Sequence, residues 1–584
     1  MRTAYFPITG IVLAGLLLMG EAAGAAGFGD YQPEPQYTET ITSSFYLPMR
    51  DGVALAVELE RPAENGQPAA GRFPVIWHHT LSISRAAADG AGFAGRAPGF
   101  WQLPSLAQHG YIVAQVARRG SGQSFGIRRG YHDRTEADDA YELTQWFAAQ
   151  PWSSGAVGIY GCSNTGDAAM HALAARPPAL RAVFAGCFSW HKYDVFRRGG
   201  IFAQWGTGPA RSIEEDLSFP PVAGDENKQL LRQAAEQHQY STPLLELWQG
   251  LPYRDSWSPL TGTRFWFEGS IASYRDQIRQ ANVALYIQGG WRDELRDQGF
   301  IAFLNVPGSR IVMGPWKHCM NDDFPLLAEV HRFFDFHLKG IDNGLAQSPP
   351  VHYFHMTGNN TGTWKASESW PEPESRPLQL QLGDGTLDQT RTTKSRRELA
   401  VHIPEICAEE TIGPFSQPCV ERRSDLNYVS DVLTQAVDVT GHPTVAIWLT
   451  SSAQDAHLFV YLEDVGPDGT VTVVTEGRLQ ASLRARHPAP WKMPAGVSWQ
   501  RAFGEDAKPL LPREPVQLQF DLMPTSWQFQ PGHRIRLSIA GADYRERQRK
   551  SADQVQRLTI LSSGARRSTL TLPVMPGETD VNRR

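Results

Sequence analysis

The sequence predicts an α/β unit with a mostly parallel sheet, interrupted by a helical insertion and followed by a separate all-β domain. Short apolar runs alternate with helical patterns up to about residue 350, which is typical of parallel strands joined by helices. The alternation stops between residues 190 and 278, and beyond residue 350 the chain changes to short strands separated by turns. At 584 residues the chain is too long for one core.

The α/β unit begins with a predicted hairpin over residues 40 to 62, which turns at Asp51-Gly52. Helices are predicted over 135–150, where Thr135 begins a capping-type Thr-x-x-Asp, and over 164–176. The remaining strands are continuous apolar runs, which suit strands buried on both faces. They are predicted at 73–79, 111–117, 156–161, 180–186, 283–290 and 310–314.

The changes of pattern give the predicted domain boundaries. The core comprises residues 26–189 and 279–350, and residues 190–278 form a helical cap over the carboxyl edge of the sheet, where open α/β folds bind ligands. Residues 351–584 form a C-terminal jelly-roll β-sandwich, because their short strands recur with turn signals between them.

Composition and the N-terminus bound the location and the partners. Hydrophobic residues make up 41% of the chain, and its net charge of -6 comes with no basic block, so a nucleic-acid partner is not expected. Arg2, the apolar run from Ile8 to Gly20 and the small residues after it predict a signal peptide over residues 1–25. The alternative is a membrane anchor, but the run is shorter than the roughly 20 residues of a span. We therefore expect a periplasmic or secreted protein, monomeric or homodimeric, with no membrane association after signal cleavage.

The five cysteines form no CxxC pair, and the chain contains no HExxH, so neither a metal nor a cofactor is predicted. Cys407 and Cys419 bracket a loop-like segment and are candidates for a disulfide, although the spacing leaves this open. Cys162, Cys187 and Cys319 lie in or beside apolar runs, and we expect them to be small buried hydrophobic residues.

One stretch carries the first sign of chemistry. "AVGIYGCSNTGDAA" ends a predicted strand at Ser163, with Gly161 two residues before it and Gly166 three residues after it. A nucleophilic serine must project from a tight strand-turn-helix elbow, which needs small neighbours. The spacing is G-x-S-x-x-G rather than the commoner G-x-S-x-G, and a plain glycine-rich turn is the alternative. In such an elbow the backbone N–H of Asn164 would face the oxyanion.

Two further residues complete a catalytic set. "YIQGGWRDE" places Asp293 just past one predicted strand, and "IVMGPWKHC" places His318 just past the next. Ser163, Asp293 and His318 thus follow three strands in the chain order of an α/β-hydrolase. His318 would accept the serine proton, and Asp293 would hold the imidazole in the required tautomer. Each residue alone is more often structural, but the three strand ends together favour catalysis.

Several longer motifs resemble the cocaine esterase and X-Pro dipeptidyl-peptidase (CocE/NonD) group of serine hydrolases. They are "GYIVAQVARRGSGQSFG", "EADDAYELTQWFAAQPWSSGAVGIYGCSNTG", "GGWRDE", "MGPWKH", "GHPTVAIWLTSSAQDAHLFVYLEDVGPDG" and "FQPGHRIRLSIAGADY". The resemblance runs from about residue 40 to 575 and implies an α/β-hydrolase core, an inserted helical cap and a C-terminal jelly roll that closes the site. It also implies Ser163 as nucleophile, Asp293 as acid and His318 as base.

One family feature is missing. Members of this group usually carry a tyrosine after the third strand that completes the oxyanion hole, and here that place falls at Ser82, with no Tyr within reach. Either Ser82 or a neutral histidine such as His79 donates instead, or the hole is weaker. A strand-end role for His79, with solvent or backbone partners, is the alternative.

The sequence therefore predicts an exported serine hydrolase that cleaves an ester or amide of a small-molecule or peptide substrate through an acyl-enzyme. An X-Pro dipeptidyl-peptidase or α-amino acid ester hydrolase is the alternative, although the residues after Asp293 do not reproduce the carboxylate cluster that holds a substrate ammonium in those ester hydrolases. An inactive secreted carbohydrate-binding protein is the alternative from another class. The candidate pocket residues are aromatic: Trp190, Trp205, Trp266 and Trp316. The first three lie in or near the insertion and could equally form the core of a small cap.

Overall fold

The structure is a computed structural model that describes most of the chain. The described residues are 27–83, 103–203, 212–322, 324–359, 361–389, 394–402, 425–545 and 555–576. The predicted signal peptide at 1–25, the pocket candidate Trp205 and the pair Cys407 and Cys419 lie outside the described residues.

The first half of the core is a hairpin followed by parallel strands and two helices. Strand β1 pairs antiparallel with β2, and β2 pairs antiparallel with β5. Strand β4 then lies parallel between β5 and β6, and β6 is parallel to β7. The elements are β1 (Glu39–Pro48), β2 (Ala54–Glu64), β3 (Gln67–Pro68), β4 (Phe73–Thr80), a 3₁₀ helix (Leu103–His109), β5 (Ile112–Ala117), α1 (Arg134–Ala149), β6 (Ser153–Cys162), α2 (Asn164–Ala175) and β7 (Leu180–Gly186).

The first helix begins one residue earlier than predicted, at Arg134 rather than at Thr135. The N-cap of α1 is Asp133, whose carboxylate accepts the N–H groups of Thr135 at 2.9 Å and Glu136 at 3.2 Å. Thr135 therefore lies inside the first turn. A carboxylate directly before the helix can accept two N–H groups that have no partner within the helix, which a threonine two residues later cannot do.

The segment between β7 and the next core strand contains short helices over its described residues. Its helices pack around a hydrophobic cluster that includes Phe196, Trp248 and Trp266, and residues from the core and the C-terminal domain, Leu295 and Leu483 among them, also belong to this cluster. The helices are α3 (Lys192–Phe196), α4 (Ile213–Leu217), α5 (Gln229–His238), α6 (Leu244–Gln249), α7 (Phe265–Glu268) and α8 (Arg275–Gln280), with 3₁₀ turns at Arg198–Gly200 and Ile271–Tyr274.

The second half of the core completes a row of nine described strands, which is part of a larger sheet that continues into the C-terminal strands. Its elements are β8 (Ala284–Gly290), α9 (Arg296–Asn305), β9 (Arg310–Gly314), α10 (Leu326–Phe334), a π-helical turn (Asp335–Lys339) and β10 (Val351–Met356). The order across this row is β1-β2-β5-β4-β6-β7-β8-β9-β10, and every pair from β5 to β10 is parallel. Because β10 pairs with β9, the core sheet continues past the boundary that the sequence placed at residue 350.

The rest of the chain is an all-β domain, so the predicted fold class is confirmed, whereas the jelly-roll assignment stays a prediction. One four-stranded antiparallel sheet has the order β15-β24-β18-β19, and most of the other strands join a second group that contacts β10 through β23. The strands are β11 (Gly362–Ser367), β12 (Arg376–Leu382), β13 (Leu387–Asp388), β14 (Ser395–Ala400), β15 (Asp425–Val429), β16 (Val437–Gly441), β17 (Thr444–Ser451), β18 (His457–Val465), β19 (Val471–Gln480), β20 (Arg486–His487), β21 (Trp499–Gln500), β22 (Val516–Asp521), β23 (Thr525–Phe529), β24 (Arg534–Ala540), β25 (Arg557–Ser562) and β26 (Thr569–Val574), with 3₁₀ turns at Ala481–Leu483 and Gly504–Asp506.

The helices of the described chain are short. The longest, α1, has 16 residues. None of the described helices combines the length and the apolar character that crossing a bilayer requires.

Candidate active site

Ser163 is the single residue between the end of β6 and the start of α2, and its backbone conformation is strained. Its φ of 61° and ψ of -127° place a non-glycine residue in a region that costs free energy. The Ser163 N–H donates to the carbonyl of Gly186 at the end of β7, at 2.9 Å. The strand therefore turns sharply into the helix, and the serine lies at the carboxyl edge of the sheet.

Gly161 and Gly166, on either side of Ser163 in the chain, allow this turn because a side chain at either position would collide with the backbone. A Cβ on Gly161 would lie 2.1 Å from the carbonyl oxygen of Thr165, and a Cβ on Gly166 would lie 2.4 Å from the carbonyl oxygen of Gly186. Both contacts are with backbone, which cannot move away without breaking the turn. The G-x-S-x-x-G spacing thus forms the elbow that the sequence indicated.

Asp293 and His318 are joined directly. Asp293 follows β8 and His318 follows β9, and the imidazole Nδ1 lies 3.0 Å and 3.1 Å from the two carboxylate oxygens. A carboxylate only accepts hydrogen bonds, so in the neutral ring Nδ1 carries the proton and Nε2 carries the lone pair. That is the tautomer of a general base.

The groups around Asp293 stabilise the ionised form of its carboxyl group. The side chain is 1% exposed, and burial alone would raise the pKa of its carboxyl group. His318 outweighs that effect through its hydrogen bond and through the positive charge that its ring carries once protonated, and Cys187 and the Leu295 N–H lower the pKa further. The net pKa of Asp293 is therefore below its ordinary value, and the residue stays ionised.

A disulfide links the serine and histidine segments, which corrects the expectation for two cysteines. Cys162 and Cys319 are buried as expected, but their sulfurs are bonded and their Cα atoms are 6.0 Å apart. The expectation failed because 157 residues separate the two in the chain, whereas β6 and β9 end at the same sheet edge. Cys162 immediately precedes Ser163 and Cys319 immediately follows His318, so the bridge brings these two segments together.

A buried polar network holds Asn164, the residue after the elbow serine. The Arg118 guanidinium donates to Asn164 Oδ1 at 2.7 Å, and His132 Nε2 lies 2.7 Å from the Asn164 carbonyl oxygen. His132 Nδ1 lies 3.0 Å from the Lys192 ammonium. Because the ammonium can only donate, Nδ1 accepts and Nε2–H donates to Asn164. Burial, with the charge of Lys192, lowers the pKa of His132 well below its usual value, so the ring is neutral as this arrangement requires.

The same lysine forms a buried ion pair that sequence reasoning missed. The Lys192 ammonium lies 3.0 Å from Asp167 Oδ2, and the N–H and hydroxyl of Ser189 both donate to Asp167 Oδ1 at 2.7 Å. Lys192 begins the first helix of the cap and Asp167 lies in the first turn of α2. The pair therefore ties the cap to the helix behind the elbow. The one available signal was a lysine inside the apolar run "FSWHKYDVF".

The two candidate oxyanion donors lie in different settings. Ser82 is half-buried, and its backbone packs on the loop after β5, where a Cβ on Gly122 would lie 2.7 Å from the Ser82 Cα. His79 is 1% exposed, and within the described ranges its Nε2 has no hydrogen-bond partner. Burial, and to a smaller extent the charge of Arg118, lowers the pKa of His79 well below its ordinary value, so its ring is neutral.

The three described tryptophan candidates divide between a cavity and the core. Trp190 lines a cavity of about 70 Å³ between the cap, α9 and the all-β domain. Trp266 is instead buried in the cap core, where its indole N–H donates to the Leu251 carbonyl at 3.1 Å. Trp316 packs against Phe324, with ring centroids 5.6 Å apart, and is 1% exposed. The expectation that Trp266 and Trp316 line a pocket is corrected accordingly, because both large rings fill interior space.

The carboxylates that follow Asp293 are paired with arginines. Arg198 donates to both oxygens of Asp297, at 2.7 Å and 2.8 Å, and Arg478 donates to Glu294 at 2.6 Å. Both carboxylates are at least 95% buried. Burial alone would raise the pKa of Asp297, but Arg198 holds it below the ordinary value. The negative charges at this edge of the site are thus neutralised within the protein.

A parallel sheet with a serine elbow after β6 and an acid and a histidine after β8 and β9 is the core of an α/β-hydrolase. Two family models match the chain: the X-Pro dipeptidyl-peptidase (S15 family) over residues 51–320 and the X-Pro dipeptidyl-peptidase C-terminal non-catalytic domain over residues 343–571. Both matched ranges agree with the division into a core with its insertion and an all-β domain.

Several curated proteins match along most of the chain. A Mycobacterium bovis protein assigned as a serine esterase is 32% identical, covering 87% of this chain and 91% of its own. The cocaine esterase of Rhodococcus is 25% identical, covering 88% and 92%. A CocE/NonD family hydrolase of Staphylococcus aureus has a similar fold, with a TM-score of 0.73 at 19% identity, covering 92% and 94%.

These findings define the class of the protein as a serine hydrolase. The chain belongs to the cocaine esterase and X-Pro dipeptidyl-peptidase (CocE/NonD) family, as its motifs indicated.

Proposed function

We propose that the chain is an esterase that cleaves acyl bonds through Ser163, His318 and Asp293 and an acyl-enzyme intermediate. The observation that carries the proposal is the hydrogen bond from His318 Nδ1 to Asp293, formed beside the elbow that presents Ser163. The disulfide between the residues next to Ser163 and His318 supports it, because it brings the hydroxyl-bearing turn and the imidazole to the same place.

The chemistry follows from these positions. His318 Nε2 accepts the proton of the Ser163 hydroxyl as the oxygen attacks the substrate carbonyl, and the carbonyl oxygen becomes an oxyanion. The N–H of Asn164 at the start of α2 donates to that oxyanion. His318 then gives its proton to the leaving alcohol, and a water molecule, deprotonated by the same ring, releases the acid. Asp293 stabilises the imidazolium in both steps.

His79 is the better candidate for the second oxyanion donor. Trp77 contacts Phe147 of α1, with ring centroids 5.8 Å apart, and His79 points to the same face of β4 because residues two apart in a strand share a face. That face is covered by α1 and α2. A neutral, buried imidazole can donate through one nitrogen, whereas the Ser82 backbone packs on the loop after β5.

We expect His79→Ala to lower kcat on an aryl ester by about 10²-fold to 10³-fold, the loss seen for one oxyanion donor. Ser82→Ala is the matched comparison and should change kcat by less than about threefold on the same grounds. Steady-state kinetics of the two variants check this. A large loss in Ser82→Ala with none in His79→Ala would assign the donor the other way.

The paired carboxylates favour an esterase over an enzyme that recognises a free amino group. Binding a substrate ammonium requires an acceptor with uncompensated negative charge, and Glu294 and Asp297 are both bonded to arginines. In the cap, Asp216 is buried, with one carboxylate oxygen 2.7 Å from His238 Nδ1. An X-Pro dipeptidyl-peptidase or an α-amino acid ester hydrolase is therefore the less favoured alternative.

A comparison of substrates tests this choice. We expect an N-acetylated aryl ester to be cleaved with a kcat/KM within about tenfold of that of its free-amine counterpart, because one lost ionic contact would cost more than this when buried. A free X-Pro amide should be a poor substrate. A preference for free amines above about 10²-fold, with loss of cleavage on acetylation, would identify the aminopeptidase instead.

We further propose that the protein is exported to the periplasm or secreted, as a monomer or homodimer that acts on a small ester. The Cys162–Cys319 disulfide supports export, because disulfides persist in oxidising compartments. Cell fractionation with an antibody to the protein tests it, and recovery with the cytoplasmic fraction alone would contradict it.

A further inference from the structure

Three cysteines from distant parts of the chain meet beneath the catalytic residues. Cys162 ends β6, Cys187 follows β7 and Cys319 follows β9. Their sulfur atoms all lie within 4.8 Å of one another, and each residue is at least 96% buried. Cys162 and Cys319 form the disulfide, and Cys187 retains its thiol.

The disulfide joins a rigid element to an irregular one. Cys162 is anchored at the end of a central strand, where its N–H donates to the Thr165 hydroxyl at 2.9 Å. His318 and Cys319 belong instead to the segment between β9 and α10, which has no helix or strand over its described residues. Two residues before His318, the Trp316 carbonyl accepts a hydrogen bond from the backbone N–H of Arg292 at 3.0 Å. The covalent tie therefore acts one residue from the catalytic imidazole.

Cys187 connects the bridge to the catalytic acid. The Cys319 N–H donates to the Cys187 sulfur at 3.4 Å, and the Cys187 thiol lies 3.6 Å from Gln288 Oε1 and within 4.8 Å of the Asp293 carboxylate. The ligand atoms of Cys187, Asp293 and His318 also lie within 4.8 Å of one another. A displacement of Cys319 would therefore move His318, its neighbour in the chain, and would also disturb Asp293 through Cys187.

We propose that the Cys162–Cys319 disulfide is a positioning element that holds His318 opposite Ser163, so that a dithiol reductant converts the enzyme to a form of low kcat. This inference rests on the proposed catalytic role of Ser163 and His318. A thiolate of the dithiol attacks one cysteine sulfur, the protein S–S bond breaks and the other cysteine leaves as a thiolate that takes up a proton. The second thiol of the reagent then displaces the first cysteine, which leaves two protein thiols and a cyclic oxidised reagent.

The expected changes in kcat, KM and circular dichroism distinguish a loss of histidine positioning from a general loss of structure. Releasing the histidine segment by about 1 Å should lower kcat by about 10²-fold, whereas KM should change by less than about threefold, because neither cysteine is among the residues that would hold the substrate. Removal of the reductant and air oxidation should restore kcat. Circular dichroism of the reduced protein should be unchanged, since the sheet and the helices do not depend on the bridge.

The experiment compares three proteins on an aryl ester with and without dithiothreitol. They are the wild type, the Cys162→Ser/Cys319→Ser double variant and the Cys407→Ser/Cys419→Ser control, which removes two of the three remaining cysteines and keeps Cys187. The double variant should have the lowered kcat at the outset and no response to the reductant. The control should respond as the wild type does. Peptide mapping of alkylated protein, before and after reduction, reports the state of the bridge in each sample.

Three results would overturn the inference: wild-type protein that maps as reduced at Cys162 and Cys319 with unchanged kcat, a folded double variant with wild-type kcat, or an active untreated wild type that carries no such bridge. Should the double variant fail to fold, the wild-type reduction series alone decides. Labelling with a fluorophosphonate keeps the two hypotheses apart. Full activity after reduction with the label on Ser163 contradicts only the disulfide role, whereas a label on another residue contradicts the proposed function itself.

Discussion

Replacing Ser163 with alanine is expected to lower kcat on an aryl ester by about 10⁵-fold or more, because the attacking oxygen is removed and the residual rate comes only from binding and the oxyanion donors. The substitution removes one oxygen from a residue whose strained conformation alanine can also adopt at similar cost. KM should therefore change little. Initial-rate kinetics over a range of ester concentrations measure both constants.

Ser154→Ala is the matched control for that experiment. Ser154 lies in the same strand, β6, is exposed, and its hydroxyl accepts only the N–H of Ala156, at 3.4 Å. The control should keep wild-type kcat. If Ser163→Ala kept more than a few per cent of the wild-type rate with all contaminating esterase removed, the elbow would have a structural role only.

Asp293→Asn is expected to lower kcat by about 10⁴-fold with a smaller change in KM. The amide nitrogen would donate to His318 Nδ1 instead of accepting from it, which leaves the proton on Nε2 and removes the lone pair that accepts the serine proton. Kinetics at several pH values measure the loss. Asp276→Asn, on the exposed side of α8, is the control and should keep the wild-type rate.

The same variant should change the acid dependence of stability. The pKa of Asp293 is lowered in the folded state, so its ionised form contributes to the free energy of unfolding above the ordinary aspartate pKa. That contribution is lost as the pH falls through the lowered pKa. Asp293→Asn should therefore unfold with a weaker dependence on pH in this acidic range. An unaltered dependence would mean that His318 does not stabilise the carboxylate.

The sequence predicted the core well because its strands are buried on both faces. The run at 180–186 is strand β7, with the same bounds, and the runs at 283–290 and 310–314 differ from β8 and β9 by at most one residue. A continuous apolar run fixes a strand end closely, because the next polar residue marks the sheet edge. This is why the sequence alone places Asp293 and His318 at the ends of their strands.

What the sequence missed depends on contacts between distant segments. The Cys162–Cys319 bridge and the Lys192–Asp167 pair join residues whose proximity is set by which strands are neighbours, and no local pattern reports that. The prediction that Trp266 lines a pocket was wrong for a related reason. An aromatic residue in a small helical insertion can face either a ligand or a hydrophobic cluster. Side-chain direction within the insertion is decided by packing rather than by local spacing.

The most direct test of the catalytic assignment is the site of fluorophosphonate labelling in the active wild-type protein. We expect one covalent adduct, located by peptide mapping on Ser163, with loss of esterase activity in proportion to labelling. An adduct on a different residue, or activity that survives complete labelling of Ser163, would contradict the account. The absence of any adduct would favour the inactive binding protein considered at the outset.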